Sequence, residues 1–255
     1  ISYEIIKKAL ENKIHVITAN KALLSKNGTE LFKIAEENNV LLLFEAAVAG
    51  GIPIINTIKQ SLFLNKINKI SGILNGTTNF ILTEMESKNK NFKHILSEAQ
   101  SSGYVESDPT NDIEGIDSAH KLSLLSTICF GSTIDFDKIS YKGISSIEIE
   151  DIKYANKLGY KIKLISESYI DENKIVSVVE PKLVRKDSYL ANVKGVLNAI
   201  KIETDHLNSV VLEGEGAGGK ATASSIISDI YEISINNKLN SLGYKIDQLK
   251  EFNKF

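Results

Sequence analysis

Val40-Leu41-Leu42-Leu43-Phe44-Glu45-Ala46-Ala47-Val48-Ala49-Gly50-Gly51-Ile52-Pro53 is the stretch that divides the chain. Val40 to Phe44 are five apolar residues without alternation, the pattern of a strand covered on both faces. Upstream, Thr29 to Asn38 has helical spacing through Leu31, Phe32, Ile34 and Ala35, and Asn27-Gly28 reads as a break before it. His15 to Ala19 reads as a short strand, and Ser2 to Asn12 as a helix with Ile5, Ile6, Ala9 and Leu10 on one face. The order α-β-α-β is that of the closing part of a parallel, doubly wound sheet.

Beyond Gly50-Gly51 the pattern changes. Pro53 suits the first position of a helix through Phe63, Lys66 to Leu74 reads as a strand, and helices are predicted near 77–88, 92–102 and 112–130. One more helix follows Glu148. Lys161–Ile170 and Lys174–Val184 flank Asp171-Glu172-Asn173, and Val196–Thr204 and Asn208–Glu213 flank Asp205-His206, two hairpin signals. A last helix is predicted from Gly219 to Asn236, with a polar tail after it. The fold class is thus α/β plus α+β: a remnant of a doubly wound, Rossmann-like parallel sheet, then a mixed, largely antiparallel sheet with helices on one face. The expected division is 1–52, 53–213 and 214–255.

Composition narrows the function. The net charge is −2 with one arginine, Arg185, and lysines alternate with acids, so there is no clustered basic face for nucleic acid. No apolar run approaches the ~18 residues of a membrane span, and Ile1 to Lys8 does not have the form of a secretion signal. The single Cys129 cannot form an internal disulfide, which fits a reducing, cytoplasmic setting. His15, His94, His120 and His206 are scattered without metal-ligand spacing, which disfavours a metal hydrolase. A dehydrogenase that acylates a cysteine needs a reactive thiol, and Cys129 sits in the apolar run Leu124 to Phe130.

Gly103 to Lys121 is the most chemically suggestive segment, reading Gly-Tyr-Val-Glu-Ser-Asp-Pro-Thr-Asn-Asp-Ile-Glu-Gly-Ile-Asp-Ser-Ala-His-Lys. Asp117 and Lys121 fall in the same helical arc as Ile113, Leu124, Leu125 and Ile128, so an acid and a lysine at i,i+4 face the interior. Leu122 lies opposite, and a helix buried all round with a structural ion pair fits the same spacing. Glu106 and Asp112 add carboxylates near the helix start, where capping would also explain them.

Five segments together resemble one family. Thr18-Ala19-Asn20-Lys21-Ala22-Leu23-Leu24 is similar to the lysine-bearing strand end of homoserine dehydrogenases, and Phe44 to Pro53 to their hinge. Gly72-Ile73-Leu74-Asn75-Gly76-Thr77-Thr78-Asn79-Phe80 resembles their site-lining turn, Gly103–Lys121 their substrate signature, and Gly214-Glu215-Gly216-Ala217-Gly218-Gly219 their closing glycine loop. The segments occur in the family's order across residues 15 to 230.

The resemblance implies NAD- or NADP-dependent interconversion of L-aspartate 4-semialdehyde and L-homoserine, a step towards threonine and methionine. It implies Lys121, Lys21 and Asp117 as catalytic, with the proton donor undecided between the lysines, and Glu106, Asp112 and Thr77 as substrate-binding. Asn20, Lys21, Gly216 and Gly218 would meet the cofactor. Without the family, Lys21 reads as a surface lysine after a strand and the glycines as a tight turn. Glu45 with the carbonyls of Val48, Gly50 and Ile52 resembles the family's monovalent-cation loop, a hard oxygen cage suited to Na⁺ or K⁺; a plain Gly50-Gly51 hinge is the alternative. A homodimer or higher homo-oligomer is implied, with no nucleic-acid or membrane partner.

The chain departs from the family in one respect. No Gly-x-Gly-x-x-Gly turn follows an opening strand, so the 255 residues are expected to open inside the cofactor domain and to bind NAD(P)H weakly by themselves. No regulatory domain is expected after Phe255. A non-catalytic, dimerising remnant of such an enzyme is the alternative function.

Overall fold

The computed structural model describes residues 1–133, 135–172, 174–235 and 240–249. Asn173 of the first expected hairpin turn, Asn236 at the expected end of the last helix and most of the polar tail lie outside them.

The first part is α1 (Ser2–Glu11), β1 (Val16–Ile17), α2 (Lys21–Glu37) and β2 (Leu42–Leu43), with β1 and β2 paired in parallel. Asn27-Gly28 does not break α2. Gly28 lies buried inside the helix, where an added Cβ would meet the Phe32 ring at 3.2 Å. Close packing of that ring offsets the ~1 kcal/mol that an interior glycine costs a helix. The side chain of Asn20 caps α2 by accepting from Leu23 N–H at 3.1 Å, which fixes the helix start at Lys21.

The second part begins with a short α3 (Ile54–Asn56) that widens into a π turn over Thr57–Ser61, in place of the single expected helix, and Pro53 precedes the first helical residue. Then come β3 (Ile67–Ile73), α4 (Gly76–Lys88), α5 (Phe92–Ser101), α6 (Thr110–Ile113) and α7 (Ile116–Phe130). The expected helix 112–130 is split at Glu114-Gly115, because Gly115 takes a φ of +83°. The remaining elements are β4 (Ser140–Tyr141), α8 (Ile149–Lys157), β5 (Tyr160–Asp171), β6 (Lys174–Arg185), α9 (Tyr189–Asn192), β7 (Leu197–Thr204), β8 (Val210–Glu215) and α10 (Gly219–Ile235). Gly214 and Glu215 belong to β8 rather than to the expected glycine loop.

The six strands run in the order β4-β6-β5-β3-β7-β8, antiparallel except for the β4–β6 pair. Both expected hairpins form. α7 packs on β3, β5 and β6 and on α2, so one helix joins the sheet to the first part. One apolar cluster runs through both parts, including Leu31 and Phe44 from the first and Ile70, Leu125 and Ile200 from the second. The fold is therefore a parallel α/β unit joined to a mixed sheet with helices. Among the described residues no helix is long and apolar enough to cross a membrane.

Candidate active site

Three elements meet where β3 ends. Central in its sheet, β3 delivers the turn Leu74-Asn75-Gly76 into α4, and Asn75 caps that helix by accepting from Thr78 N–H at 2.9 Å. α7 brings Asp117 and Lys121 to this turn. The start of α2, just past the end of β1, brings Lys21 from the other side; strand ends of this kind are where doubly wound sheets place ligands.

Asp117 is the common partner. One of its oxygens accepts from Lys121 Nζ at 2.7 Å and from Asn75 Nδ2 at 2.9 Å, and the other lies 3.3 Å from Lys21 Nζ. Burial pushes the Asp117 carboxyl up, but the ammonium groups of Lys121 and Lys21 and the hydrogen bonds from Lys121 and Asn75 outweigh it and hold it down at about 2. It is a carboxylate at any working pH. Lys121 Nζ also donates to Leu74 O at 2.8 Å. An ammonium has three donors, so one remains for a ligand.

These groups face a cavity of about 370 Å³ lined by Lys21, Asn75, Thr77, Tyr104, Glu106, Asp112, Asp117, Lys121, Val196 and Gly216, among others. The structure thus gathers Lys21, Thr77, Glu106, Asp112, Asp117, Lys121 and Gly216 in one place. Asn20 and Gly218 are not in the cavity wall. α7 is buried on nearly every face, from Asp117 through Ser126, as the all-round alternative had it, yet its first two turns still open onto the cavity. Asp112 accepts from Asn75 Nδ2 at 2.7 Å, so this one amide ties both acids to the turn. Glu106 is exposed on a loop whose carbonyls at 106 and 107 accept from Gln100 Nε2.

Glu45 has partners other than the expected cage. Its two carboxylate oxygens accept from Ile55 N–H and Asn56 N–H at 2.8 Å each, closing the start of α3. Gly50 O accepts from the Ser225 hydroxyl at 2.6 Å and Ile52 O from Ile54 N–H at 2.7 Å. Burial raises the Glu45 carboxyl to about 7, against the pull of the Asn56 and Ile55 N–H groups, with the Asp229 carboxylate adding to the rise. Glu45 and the carbonyls of Gly50 and Ile52 thus each take part in a hydrogen bond within the protein, and an oxygen that accepts one such bond keeps a further lone pair. Among the described residues no cluster of three or more His, Cys, Asp or Glu side chains forms a metal site.

The two glycines expected at the cofactor differ in their surroundings. Nothing stands within 4 Å of a Cβ added at Gly218, so the space beside its backbone is open. Gly216 is the reverse: a Cβ there would overlap the Asn198 amide at 2.1–2.3 Å, and one on Gly50 would meet Gly216 O at 2.5 Å. The glycine loop is therefore pressed between the 49–52 loop and β7, with its edge at the cavity.

Sequence reading did not single out several supporting groups. Asn79 donates to the carbonyls of Val193, Gly195 and Leu197, and buried Lys163 donates to Asn79 Oδ1 at 2.8 Å and Val193 O at 2.6 Å. Together they hold the loop that carries Val196 against the site turn. A Cβ on Gly76 would meet Val196 O at 2.5 Å. Gly76→Ala is therefore expected to push that loop away and lower stability by about 1–3 kcal/mol, measured by urea unfolding; an unchanged midpoint would contradict the close approach.

A model described as "Homoserine dehydrogenase, NAD binding domain" matches residues 2–45, and one described as "Homoserine dehydrogenase" matches residues 53–231. The homoserine dehydrogenase of Pseudomonas aeruginosa is 44% identical over 98% of this chain and 59% of its own length. The crystal structure of a homoserine dehydrogenase from Thiobacillus denitrificans superposes with a TM-score of 0.97 at 42% identity, covering 100% of this chain and 60% of that one. A hyperthermophilic archaeal homoserine dehydrogenase in complex with NADPH is 33% identical, with a TM-score of 0.79 over 92% of this chain and 68% of that one. The first part is thus similar to a nicotinamide-cofactor domain. The chain belongs to the homoserine dehydrogenase family, and it spans about three-fifths of the length of the Pseudomonas and Thiobacillus proteins.

Proposed function

We propose that the chain carries the reducing site of a homoserine dehydrogenase, interconverting L-aspartate 4-semialdehyde and L-homoserine with NAD or NADP. The observation that carries this reading is the pairing of Lys21 and Lys121 with one buried carboxylate at the wall of one cavity. Reduction of an aldehyde puts alkoxide character on its oxygen, and a nearby ammonium both stabilises that charge and supplies the proton. Lys121 keeps one N–H for this purpose, and Asp117 aims it. Glu106, with Asp112 and Thr77 beside it, receives the ammonium end of the substrate.

A bound nicotinamide supplies or accepts the hydride; Lys21, Gly216 and the open backbone at Gly218 are the residues that would receive it, with Asn20 fixing the start of α2. The reading assigns 1–52 to cofactor, 53–213 to substrate and dimerisation, and 214–255 to closure; the break between the two matching family models, after residue 45 and before residue 53, supports the first boundary. A homodimer or higher homo-oligomer, joined through the sheet or its flanking face, and a cytoplasmic location complete the reading. Semialdehyde-dependent oxidation of NADPH by the full-length protein tests it. No oxidation above a no-enzyme control would overturn it.

Cys129 separates this chemistry from acyl transfer through a thiol. It is buried, and burial pushes its thiol well above the usual range. Cys129→Ser is expected to leave semialdehyde reduction within about threefold, the effect of a small change in a packed helix. Loss of all turnover in a folded Cys129→Ser protein would point to thiol chemistry instead.

A further inference from the structure

Ser25 and His120 form a buried side-chain pair that the proposed chemistry does not use. Ser25 Oγ lies 2.6 Å from His120 Nδ1 and also donates to Ala22 O at 3.1 Å. A hydroxyl has one proton, so with that proton on Ala22 O the pair is completed by an Nδ1–H donating to Ser25. A neutral imidazole fits: burial pulls the His120 pKa down, and Lys26 and Lys21 add to the fall against the opposing pull of Asp117. The ring stacks on Phe136 with centroids 4.0 Å apart, so it has little freedom to turn away.

The positions along the two helices give this pair its meaning. Ser25 is one turn after Lys21 on α2, and His120 lies between Asp117 and Lys121 on α7, next to the latter. A turn of helix rises about 6 Å over four residues, so the Ser25–His120 contact sits one turn along from the Lys21–Asp117 contact on the same helix pair. Lys21 is the looser member of the site: its side chain is 39% exposed and stands 3.3 Å from Asp117, whereas Lys121 is 11% exposed at 2.7 Å. Lys121 and Asp117 share one helix and hold their spacing by themselves. Lys21 and Asp117 come from two parts of the fold, and their distance depends on how α2 seats on α7.

We infer that the Ser25–His120 hydrogen bond sets the seating of α2 on α7 and so holds Lys21 at Asp117, which makes His120 and Ser25 positioning residues of the two-lysine site. This rests on the reading of Lys21, Asp117 and Lys121 as the reducing site. Apolar packing between the helices supplies their adhesion. The hydrogen bond, being directional, supplies the register.

The test uses the 255-residue chain without substrate or cofactor, so its failure is distinct from failure of the proposed activity. N-hydroxysuccinimidyl acetate at limiting concentration acylates free amines, and peptide mass spectrometry gives a rate for each lysine. An ammonium held at a carboxylate is acylated slowly. Ser25→Ala and His120→Gln are each expected to raise the Lys21 rate at least threefold relative to Lys8, an exposed lysine on α1. Ser25→Thr, which keeps the hydroxyl, is expected to restore the original rate. Asp117→Asn alone should raise the Lys21 rate at least as much, and adding Ser25→Ala to it should raise it no further.

Near-ultraviolet circular dichroism identifies the folded variants. Ser25→Ala removes one oxygen atom and is the variant on which the outcome rests if His120→Gln does not fold. An unchanged Lys21 rate in folded Ser25→Ala, or a rise that Ser25→Thr does not reverse, would overturn the inference and leave the pair as packing alone.

Discussion

Lys121→Ala is expected to slow semialdehyde reduction by ~10²–10⁴-fold, the usual contribution of a positioned general acid, while NADPH affinity stays nearly unchanged. The split follows from where the ammonium sits. Lys121 contacts Asp117 and Leu74 O and lines the cavity beside Thr77 and Glu106, so in the proposed reading its free donor serves the reacting oxygen and not the remote parts of a dinucleotide. Charge on that oxygen develops in the transition state, so the loss falls on kcat more than on binding. The fold should survive the change, because Asp117 retains Lys21 and the Asn75 amide as partners. Steady-state kinetics and fluorescence titration of NADPH, in the full-length protein, give the two numbers. Turnover within threefold of the parent would remove Lys121 from the mechanism. The same pair of measurements on Lys21→Ala assigns the proton donor: the larger fall in kcat marks the amine that serves the reacting oxygen.

The site was legible in the sequence to the extent that it is local. Asp117 and Lys121 are four residues apart on one helix, and the 3.6-residue period alone puts them on one side. The hairpins were legible for a similar reason, since alternating runs on either side of Asp171-Glu172 and Asp205-His206 specify their own pairing. The meeting of Lys21 with Asp117 spans 96 positions and was reached through the family resemblance; periodicity says nothing of it. Ser25–His120 and Asn79–Lys163 escaped both routes, because a serine, an asparagine and a lysine carry no local signal of burial. Asn27-Gly28 misled in the opposite direction. Turn residues were read as a turn, and a long-range contact, the packing of α2 on α7, kept the helix whole. At Glu45 the carboxylate oxygens cap the start of α3, a contact that composition does not show. At Asn27-Gly28 a contact fixed by the tertiary structure overrode a reading based on neighbours in sequence.

Removing the carboxylate at the centre of the site is expected to cost more stability than any other change there. In Asp117→Ala, Lys121 loses its 2.7 Å counter-charge while remaining nearly buried, with Leu74 O as its remaining partner. Breaking a buried pair from one side costs about 3–5 kcal/mol, since the surviving charge is left uncompensated. Lys21 is 39% exposed and rehydrates, so its share of the loss is small. Asp117→Asn keeps the shape and a hydrogen-bonding oxygen and isolates the charge. The Asp117 carboxyl is held at about 2, below its ordinary value of 3.8, so it binds its proton less readily in the folded chain than in the unfolded one. A group depressed in this way stabilises the fold above its unfolded pKa, and the contribution is lost as the pH falls towards the folded one. A depression of this size corresponds to about 2 kcal/mol. The stability gap between the parent chain and Asp117→Asn, measured by urea unfolding, should therefore be constant from pH 7 to about 5 and close progressively from pH 4 towards 2. A gap that stays constant down to pH 3 would show that the cost arises from altered geometry at the turn and not from the charge that the two lysines share.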